Sequence, residues 1–297
     1  MEIHQLRYFL AVVHARNFSR AAERCHVAQP SLSQQIQKLE NELGEKLFER
    51  GGREVILTPA GEIFRGHAER VLDEIDEARE KIGEARGQVR GRVTLGVLPT
   101  IAPYFLPDAL KVFNTTHPAI EVSVHEDTTA GLSRAIDQRE LDLALISDPD
   151  GDVRVTALPL FAEPLWLALP EGHPLARRRR LTAADVIEQP FIVMQESHCL
   201  GDQALQFCQS RGFSPRVSFR SAQIETVRAF VAAGLGVSLI PAMALRPAAS
   251  SGIVYRQLAE KPRRQINLIH HPERSLKPAA GALADALRRF ARKKRVA

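Results

Sequence analysis

A seven-residue apolar repeat between Thr58 and Gly87 divides the chain into a short segment before it and a long segment after it. Apolar residues recur there at alternating spacings of four and three, with charged residues at many of the positions between them. This pattern is typical of a helix that pairs with a second helix in a coiled coil, and Thr58 suits the cap of that helix. The repeat comprises Phe64, Ala68, Val71, Ile75, Ala78, Ile82 and Ala85. The alternative is an amphipathic helix that lies on its own domain.

Three helices and a hairpin are predicted before the repeat. Apolar residues have helical spacing in residues 5–14, 19–25 and 30–43. Pro30 suits the first turn of the third helix because its missing N–H costs nothing there, and Gly44 ends that helix. Residues 47–50 and 53–57 predict two strands joined by a tight Gly51-Gly52 turn. We therefore predict a winged helix-turn-helix over residues 1–58 and a linker helix over residues 59–87.

Strands alternate with helices after Gly91, which favours a mostly parallel sheet covered by helices. Strands are predicted at residues 93–98, 120–125, 141–146, 165–169, 191–194, 237–240 and 266–270. Helices are predicted near residues 106–114, 131–138, 202–210, 223–233 and 277–293. We expect a regulatory domain over residues 88–297 with two α/β lobes and a ligand cleft between them. Lobe I covers about 88–161 and 266–297, and lobe II about 162–265, so the fold class is α/β overall.

Composition excludes several classes of protein. No apolar run approaches the roughly 18 residues of a membrane helix, and the amphipathic N-terminus does not resemble a secretory signal, so a cytoplasmic location is expected. The three cysteines lack the paired short spacings of a zinc site, and we expect neither a metal nor a cofactor. The net charge of +5 is weak support for DNA binding, because residues 1–58 hold eight Arg/Lys against seven Glu.

The first 61 residues resemble the LysR family of bacterial transcription regulators. The segments that carry the resemblance are LRYF (6–9), FSRAA (18–22), QPSLS (29–33), LFER (47–50) and LTPAG (57–61). The resemblance extends over nearly the whole chain and implies that the two C-terminal lobes resemble a periplasmic-binding-protein domain. It also implies promoter DNA and RNA polymerase as partners, and a dimer that assembles further into a tetramer.

Polar residues occupy the early turns of the third predicted helix. Glutamine can read adenine edges in the major groove, whereas serine, lysine and arginine suit phosphates. We predict DNA contacts at Gln29, Pro30, Ser31, Ser33, Gln34, Gln35 and Lys38, and at the wing residues Arg50 and Arg53. The alternative is a three-helix module whose polar face is merely solvated.

The segment HCLGDQALQFC (198–208) resembles the peroxide-sensing branch of this family, the OxyR proteins. The segments GVLPT (96–100), HE (125–126) and PRR (262–264) also resemble that branch. The resemblance implies that Cys199 reacts with hydrogen peroxide and that Cys208 resolves the product. It further implies a peroxide or effector pocket, in which we place Thr100, Thr129, His198, Asp202 and Arg264.

The residues around the cysteines themselves favour a switch. Cys199 lies just ahead of a helix predicted to begin near Asp202, so the positive end of the helix and the neighbouring His198 would favour the thiolate. Cys208 is predicted to be buried. Helical geometry would place the two sulfurs on the order of 10 Å apart or more, whereas a disulfide needs Cα atoms within about 7 Å. A disulfide would therefore require the helix to unwind. Gly201 stands where that branch is expected to have arginine, which removes a positive charge near Cys199.

Several alternatives stay open at the level of sequence. Cys199 and Cys208 can be a loop thiol and a core residue in a regulator that binds a small carboxylate or aromatic effector, with Thr100 and Thr129 holding ligand oxygens. The threonines can also be helix caps, and Arg264 an exposed charge at a strand end. A thiol peroxidase would use the same reactive cysteine. However, an enzyme needs no recognition helix, wing or heptad linker, and we predict no enzymatic activity.

Overall fold

The fold was analysed in a computed structural model, which describes residues 1–49, 55–84, 89–149, 153–195, 199–247, 252–273 and 275–294. Within helices, side chains are described except those of Asp73, Asp76, Glu77, 79–84, Cys199 and Lys294. The chain divides into two compact units, Met1–Gly87 and Gln88–Ala297. We call the first the N-terminal unit and the second the regulatory unit. The described helices include none with the length and apolar character needed to cross a bilayer.

The N-terminal unit is a winged helix-turn-helix followed by a long helix. Its elements are α1 (Ile3–Ala15), α2 (Phe18–Arg24), α3 (Gln29–Leu43), β1 (Phe48–Glu49), β2 (Ile56–Leu57) and α4 (Pro59–Glu84). The antiparallel pair β1–β2 forms the predicted hairpin, whose turn lies outside the described residues. The ring of Phe9 in α1 packs against those of Phe48 and Phe64, at centroid distances of 5.2 and 5.0 Å. The core of this unit therefore joins the helices to the wing.

The ends of the helices follow local signals in the sequence. The Asn17 side chain accepts a hydrogen bond from the Arg20 N–H and caps α2. Gly44 ends α3 with φ of 74°, a left-handed conformation that glycine adopts without strain, which confirms the predicted stop. Thr58 accepts a hydrogen bond from the Gly61 N–H at the start of α4, as expected of a cap.

The regulatory unit contains a seven-stranded sheet and a separate two-stranded sheet, with helices packed against both. Its strands are β3 (Gly91–Val97), β4 (Ile120–Glu126), β5 (Leu143–Ile146), β6 (Thr156–Pro170), β7 (Pro190–Met194), β8 (Arg216–Ser221), β9 (Ser238–Pro241), β10 (Ile253–Arg256) and β11 (Arg263–His270). Its α-helices are α5 (Ala102–Thr116), α6 (Thr129–Asp137), α7 (Cys199–Ser210), α8 (Ile224–Ala232) and α9 (Pro278–Lys294). Short 3-10 helices cover Pro174–Arg177, Ala183–Val186 and Ala242–Ala244. These elements confirm the predicted α/β fold class.

The prediction of a mostly parallel sheet is wrong. The large sheet has the order β10-β6-β11-β5-β3-β4, with β9 also paired to β6. In this sheet β4 and β5 pair with β3 in parallel, whereas β6 pairs antiparallel with β9, β10 and β11. Strand β6 is also 15 residues long, much longer than the strand predicted at 165–169. The chain runs through β6 and returns beside it through β11, which makes the sheet mixed.

Two hydrophobic cores lie along these two long strands. Leu160 of β6 and Ile266 of β11 are buried in the first core, together with β3, β5, α5 and α9. Leu165 and Leu167, further along β6, are buried in the second core with β7, α7 and α8. We call these parts lobe I and lobe II. Strands β6 and β11 therefore carry the chain from one lobe to the other, and polar side chains at this crossing lie between two cores.

Candidate redox site and nucleic-acid interface

A buried ion pair lies where β6 and β11 pass between the lobes. Arg264 is 1% exposed, and its Nε donates to Glu163 Oε1 at 2.6 Å. Its Nη1 donates to the Thr100 hydroxyl at 2.9 Å and its Nη2 to the Thr100 carbonyl at 3.1 Å. The other Glu163 oxygen accepts the Met243 N–H at 3.1 Å. Arg264 is therefore not an exposed charge at a strand end, and it lies against Thr100.

Thr129 lies at the same edge of the sheet as Thr100. Val97 and Glu126 are paired residues at the ends of the parallel strands β3 and β4, and each threonine follows three residues later. Thr128, rather than Thr129, caps α6 by accepting the Gly131 N–H at 3.2 Å. The Thr129 hydroxyl is buried and has no hydrogen-bond partner among the described residues. A buried hydroxyl without a partner suits a polar ligand.

Helix α7 holds the two cysteines apart. It begins at Cys199, three residues earlier than predicted, and remains helical through Cys208. At about 1.5 Å per residue, the two Cα atoms are separated by about 13 Å, roughly twice the separation that a disulfide tolerates. Cys208 is fully buried in the lobe II core, and burial raises the pKa of its thiol to about 11. The Cys199 side chain and the whole of His198 lie outside the described residues.

Gln203, which was not predicted from the sequence, ties α7 to lobe I. Its Nε2 donates to the Ser147 hydroxyl and to Asp148 Oδ2, both at 2.6 Å. The Ser147 hydroxyl in turn donates to the Gln265 carbonyl at 2.9 Å. The Gln203 Oε1 is buried and has no partner among the described residues, like the Thr129 hydroxyl. Gln203 lies four residues after Cys199 and so on the same side of the helix, a spacing that could have singled it out. Asp202 beside it is partly buried.

Gly201 allows the first turn of α7 to lie against the end of β7. A Cβ atom added at Gly201 would lie 2.4 Å from the Met194 carbonyl oxygen and 3.2 Å from that of Gln195. The first distance is too short for any real side chain, and the obstacle is backbone. An arginine at this position would therefore require α7 to move away from β7. Compared with the expected arginine, Gly201 therefore removes a positive charge near Cys199 and allows closer packing of α7 against β7.

Replacing Gly201 with alanine is expected to lower the stability of the regulatory unit. Overpacking typically costs about 1–3 kcal/mol, which exceeds the gain of up to about 1 kcal/mol that alanine brings to a helix. Urea unfolding of the full chain would measure the change. Gly281 in α9 is the control, because a Cβ there meets nothing within 4 Å and Gly281→Ala should be neutral or stabilising. A Gly201→Ala protein as stable as Gly281→Ala would contradict the packing argument.

A cavity of about 740 Å³ opens between the lobes beside Thr100. Its walls include Tyr104 from α5 and Glu225 from α8, and the Tyr104 hydroxyl donates to Glu225 Oε1 at 3.1 Å. The Arg246 guanidinium donates to the same oxygen at 3.0 Å. Burial, together with the Glu225 carboxylate, raises the pKa of Tyr104 to about 12. The remaining lining residues are Pro99, Pro103, Glu126, Met194, Ala222, Gln223, Ile224, Met243 and Leu245.

Helix α3 has one apolar face and one polar face. Leu32, Ile36 and Leu39 are buried in the core of the N-terminal unit. Of the predicted DNA contacts, Gln29, Pro30, Ser31, Gln34 and Lys38 are exposed, and Ser33 and Gln35 are partly buried. Gln35 accepts a hydrogen bond from the Gln5 amide at 3.2 Å, which ties α3 to α1. Arg50 and Arg53 lie outside the described residues.

Glu40 joins α3 to the wing. Its side chain is 1% exposed and accepts the N–H groups of Leu47 at 3.0 Å and Phe48 at 3.4 Å, and Lys46 Nζ at 2.9 Å. Burial opposes ionisation of the carboxyl, but these hydrogen bonds outweigh it and hold the pKa of Glu40 below its usual range. A negative charge inside α3 therefore positions the start of the hairpin.

Replacing Glu40 with glutamine is expected to destabilise the N-terminal unit by about 1.5–3 kcal/mol near neutral pH, because its hydrogen-bond donors lose a negatively charged acceptor. The folded-state pKa is lowered, so the stabilisation is present above the unfolded pKa of about 4.3 and is lost as pH falls through the folded pKa. Unfolding curves measured across this pH range should converge for wild type and Glu40→Gln at acid pH. A difference that stays constant with pH would rule out the ionised carboxylate as the cause.

The first part of the linker repeat packs inward. Ala68 is 1% exposed, and Phe64 packs against the same core. Further along α4, Val71 is 42% exposed, Ala78 is exposed, and Ile75 is partly buried. The side chain of Ile82 lies outside the described set. The repeat thus begins as an amphipathic helix on its own unit and continues with apolar residues that the unit does not cover.

Comparison with known proteins extends over both units. Residues 3–62 match the family described as "Bacterial regulatory helix-turn-helix protein, lysR family", and residues 86–292 match "LysR substrate binding domain". The Escherichia coli K12 "DNA-binding transcriptional dual regulator OxyR" is 38% identical over 293 residues, which are 97% of this chain and 95% of that protein. A "Probable hydrogen peroxide-inducible genes activator" from Mycobacterium avium is 39% identical over 267 residues, 89% of this chain and 86% of that protein.

Solved structures give the same result. Full-length OxyR from Pseudomonas aeruginosa superposes with a TM-score of 0.79 at 31% identity, covering 98% of this chain and 95% of that one. A hydrogen peroxide-bound mutant of OxyR from Corynebacterium glutamicum superposes with a TM-score of 0.64 at 29% identity, covering 98% and 94%. The described geometry is therefore that of a helix-turn-helix unit and a two-lobed unit found together in these proteins.

Proposed function

The chain belongs to the LysR family of DNA-binding transcription regulators, within its group of OxyR-like hydrogen peroxide-inducible activators, and we propose that a thiol-disulfide switch between Cys199 and Cys208 controls its activity. The observation that carries this proposal is α7. One continuous helix begins at the first cysteine, buries the second in the lobe II core, and is tied to lobe I by Gln203 between them. Joining the cysteines is incompatible with that helix.

The proposed chemistry needs only hydrogen peroxide as oxidant. The Cys199 thiolate attacks one peroxide oxygen, an S–O bond forms as the O–O bond breaks, and hydroxide leaves and is protonated to water. The Cys208 thiol then attacks the sulfenic acid, an S–S bond forms, and a second water leaves. One peroxide is reduced and two thiols are oxidised.

Polar groups on Thr100, Thr129 and Gln203 support the proposed peroxide pocket. The Thr100 hydroxyl accepts a hydrogen bond from Arg264 and so keeps its own proton for a bound oxygen. The buried Thr129 hydroxyl and Gln203 Oε1 have no partners among the described residues. Because Glu163 already neutralises Arg264, we assign Arg264 the role of orienting Thr100 rather than that of a free cation. His198 and Asp202 remain proposed members of this pocket.

Oxidation would release α7 from lobe I. Formation of the disulfide requires the helix to unwind by more than a turn, which removes Gln203 from Ser147 and Asp148. A chemical event at one cysteine is thereby converted into a change in how the lobes are held together. We propose that this change alters the DNA footprint and the contact with RNA polymerase.

Mapping the thiols by mass spectrometry before and after mild peroxide treatment tests the proposal. The expected product is a single Cys199–Cys208 linkage, with Cys25 still a free thiol. Cys25 is an internal control, because it is partly buried against the core of the N-terminal unit and burial raises its pKa. Oxidation that bypasses Cys199, or a linkage that includes Cys25, would contradict it.

A second candidate is a regulator that binds a small carboxylate or aromatic effector. The 740 Å³ cavity beside Thr100, with Arg246 on its wall, favours this alternative. The two functions separate in a Cys199→Ser protein, which has no reactive thiol but keeps the cavity. An effector that still changes the DNA footprint of that protein would support the second candidate, whereas loss of every response supports the first.

We also propose that the exposed apolar part of α4 pairs with a second copy of the chain, and that two dimers form a tetramer. Replacing Val71 with aspartate and Ile75 with lysine is expected to dissociate the dimer, because the desolvation of charged side chains opposes their burial in a coiled coil. Sedimentation would measure the change. Arg70→Asp with Glu74→Lys is the matched control, because it introduces the same residues at exposed positions of the same helix. A dimer that survives the first change would show that α4 packs differently.

A further inference from the structure

The excess positive charge of the chain lies in the regulatory unit. Residues 1–87 carry 13 Lys/Arg against 15 Asp/Glu, whereas residues 88–297 carry 27 against 20. DNA is a polyanion, and it attracts a protein through the charges that the protein presents to its phosphates. The unit with the helix-turn-helix is therefore slightly acidic as a whole, and the net positive charge of the chain lies in the other unit.

Four consecutive arginines, Arg177–Arg180, form a positive run in lobe II. All four side chains are exposed. Arg178 pairs with Asp185, which accepts a hydrogen bond from its Nη1. Arg177, Arg179 and Arg180 form no hydrogen bond or ion pair with any residue that the structure describes. Three exposed guanidinium groups within four consecutive residues thus carry charge that these residues do not compensate.

The backbone under this run is fixed at both ends. Ala176 before it and Leu181 after it are buried in lobe II, at 5% and 1% exposure. The Arg256 guanidinium donates to the Ala176 carbonyl at 2.6 Å, and the Ala259 N–H donates to the Leu181 carbonyl at 2.8 Å. The arginines therefore project from a rigid base rather than from a free loop. A preorganised group loses less conformational entropy when it binds a ligand.

We infer that Arg177, Arg179 and Arg180 form a second DNA contact, made by lobe II to the phosphate backbone. Guanidinium groups bind phosphates with two parallel hydrogen bonds, and the contact carries no base preference. The inference rests on the proposed binding of DNA through α3. Once α3 is bound, the same chain tethers the arginines near DNA, so weak phosphate contacts act at a high effective concentration.

The test compares two full-length variants that lose equal charge. Arg179→Gln with Arg180→Gln removes part of the run, and Arg288→Gln with Arg289→Gln removes two exposed arginines from α9. Dissociation constants are measured over a salt series on a promoter duplex and on a random duplex of the same length. For the first variant, the slope of log K against log salt should become shallower by about 0.9 for each phosphate that the protein no longer binds, equally on both duplexes. The α9 variant should keep the wild-type slope.

Three outcomes would overturn the inference. Wild-type slopes in the first variant would show that the run does not touch DNA. Equal changes of the salt slope in both variants would show a general effect of net charge. Unchanged DNA binding with a loss of transcription by added RNA polymerase would assign the run to an acidic protein surface. A wild-type protein that fails to prefer the promoter duplex contradicts the proposed function instead, and so the two failures are distinguishable.

Discussion

Replacing Cys199 with serine is expected to abolish the response to hydrogen peroxide while DNA binding by the unoxidised protein stays at the wild-type level. Serine cannot form a sulfenic acid with peroxide, so neither the first oxidation nor the disulfide can follow. Cys199 is the first residue of α7, whereas the DNA contacts predicted from the sequence lie in residues 29–53 of the other compact unit. The substitution therefore removes the reaction and leaves the DNA-binding surface unchanged.

Cys208→Ser should have a different effect. The burial that raises the pKa of this thiol to about 11 keeps it protonated near neutral pH, so Cys208 is not the first thiol to react while α7 is intact. In the Cys208→Ser protein, Cys199 should still oxidise to a sulfenic acid, but no intramolecular disulfide should form and the sustained response should weaken. The difference between the two variants tests the unequal roles of the cysteines.

Footprinting and transcription, each with and without peroxide, would measure these effects, and a sulfenic-acid trap would detect the intermediate. Cys25→Ser is the control and should respond like wild type, because Cys25 lies in the N-terminal unit. If the footprint and transcription of the Cys199→Ser protein still change with peroxide as they do in wild type, the redox proposal is contradicted. The 740 Å³ cavity would then favour regulation by a small effector that binds between the lobes.

Local signals in the sequence were sufficient for the elements of the N-terminal unit. Pro30 in the first turn of α3, Gly44 at its end and Thr58 at the cap of α4 act within a few residues of themselves. Their effects can therefore be predicted without knowledge of distant parts of the chain. The direction in which strands pair is not local. The periodicity of β6 and β11 is the same whether they run parallel or antiparallel, and the prediction of a mostly parallel sheet failed for this reason.

The candidate site likewise contains residues that the sequence indicated and residues whose contacts depend on distant parts of the chain. Resemblance to the family indicated Thr100 and Arg264 as members of one pocket, and the structure places these two in hydrogen-bond contact. Their partner Glu163 lies 101 residues before Arg264, and nothing in its own neighbourhood indicates a buried ion pair. Gln203 was missed because its contact with Ser147 spans 56 residues. Only the spacing of four residues from Cys199 hinted at its position.

Replacing Gln34 with alanine is expected to weaken binding to the specific promoter and to relax the base preference at one position. Gln34 is exposed in the second turn of α3, on the face away from Leu32 and Ile36, and forms no hydrogen bond to a described residue. A glutamine in this position can form two hydrogen bonds with adenine, one donated by its amide nitrogen and one accepted by its amide oxygen. Removal of such a base contact costs about 1–3 kcal/mol, which corresponds to roughly 5-fold to 150-fold in affinity. The fold itself should be unaffected.

Gln35 is the matched control for Gln34, because it is partly buried and bonded to α1 whereas Gln34 is exposed. Gln35 accepts a hydrogen bond from Gln5, so Gln35→Ala removes a hydrogen bond between α3 and α1 and should lower thermal stability more than Gln34→Ala does. Gel-shift titrations at fixed salt, on the promoter and on duplexes with single base changes, would measure the base preference of each variant. Wild-type affinity and wild-type base preference in the Gln34→Ala protein would place Gln34 outside the DNA interface.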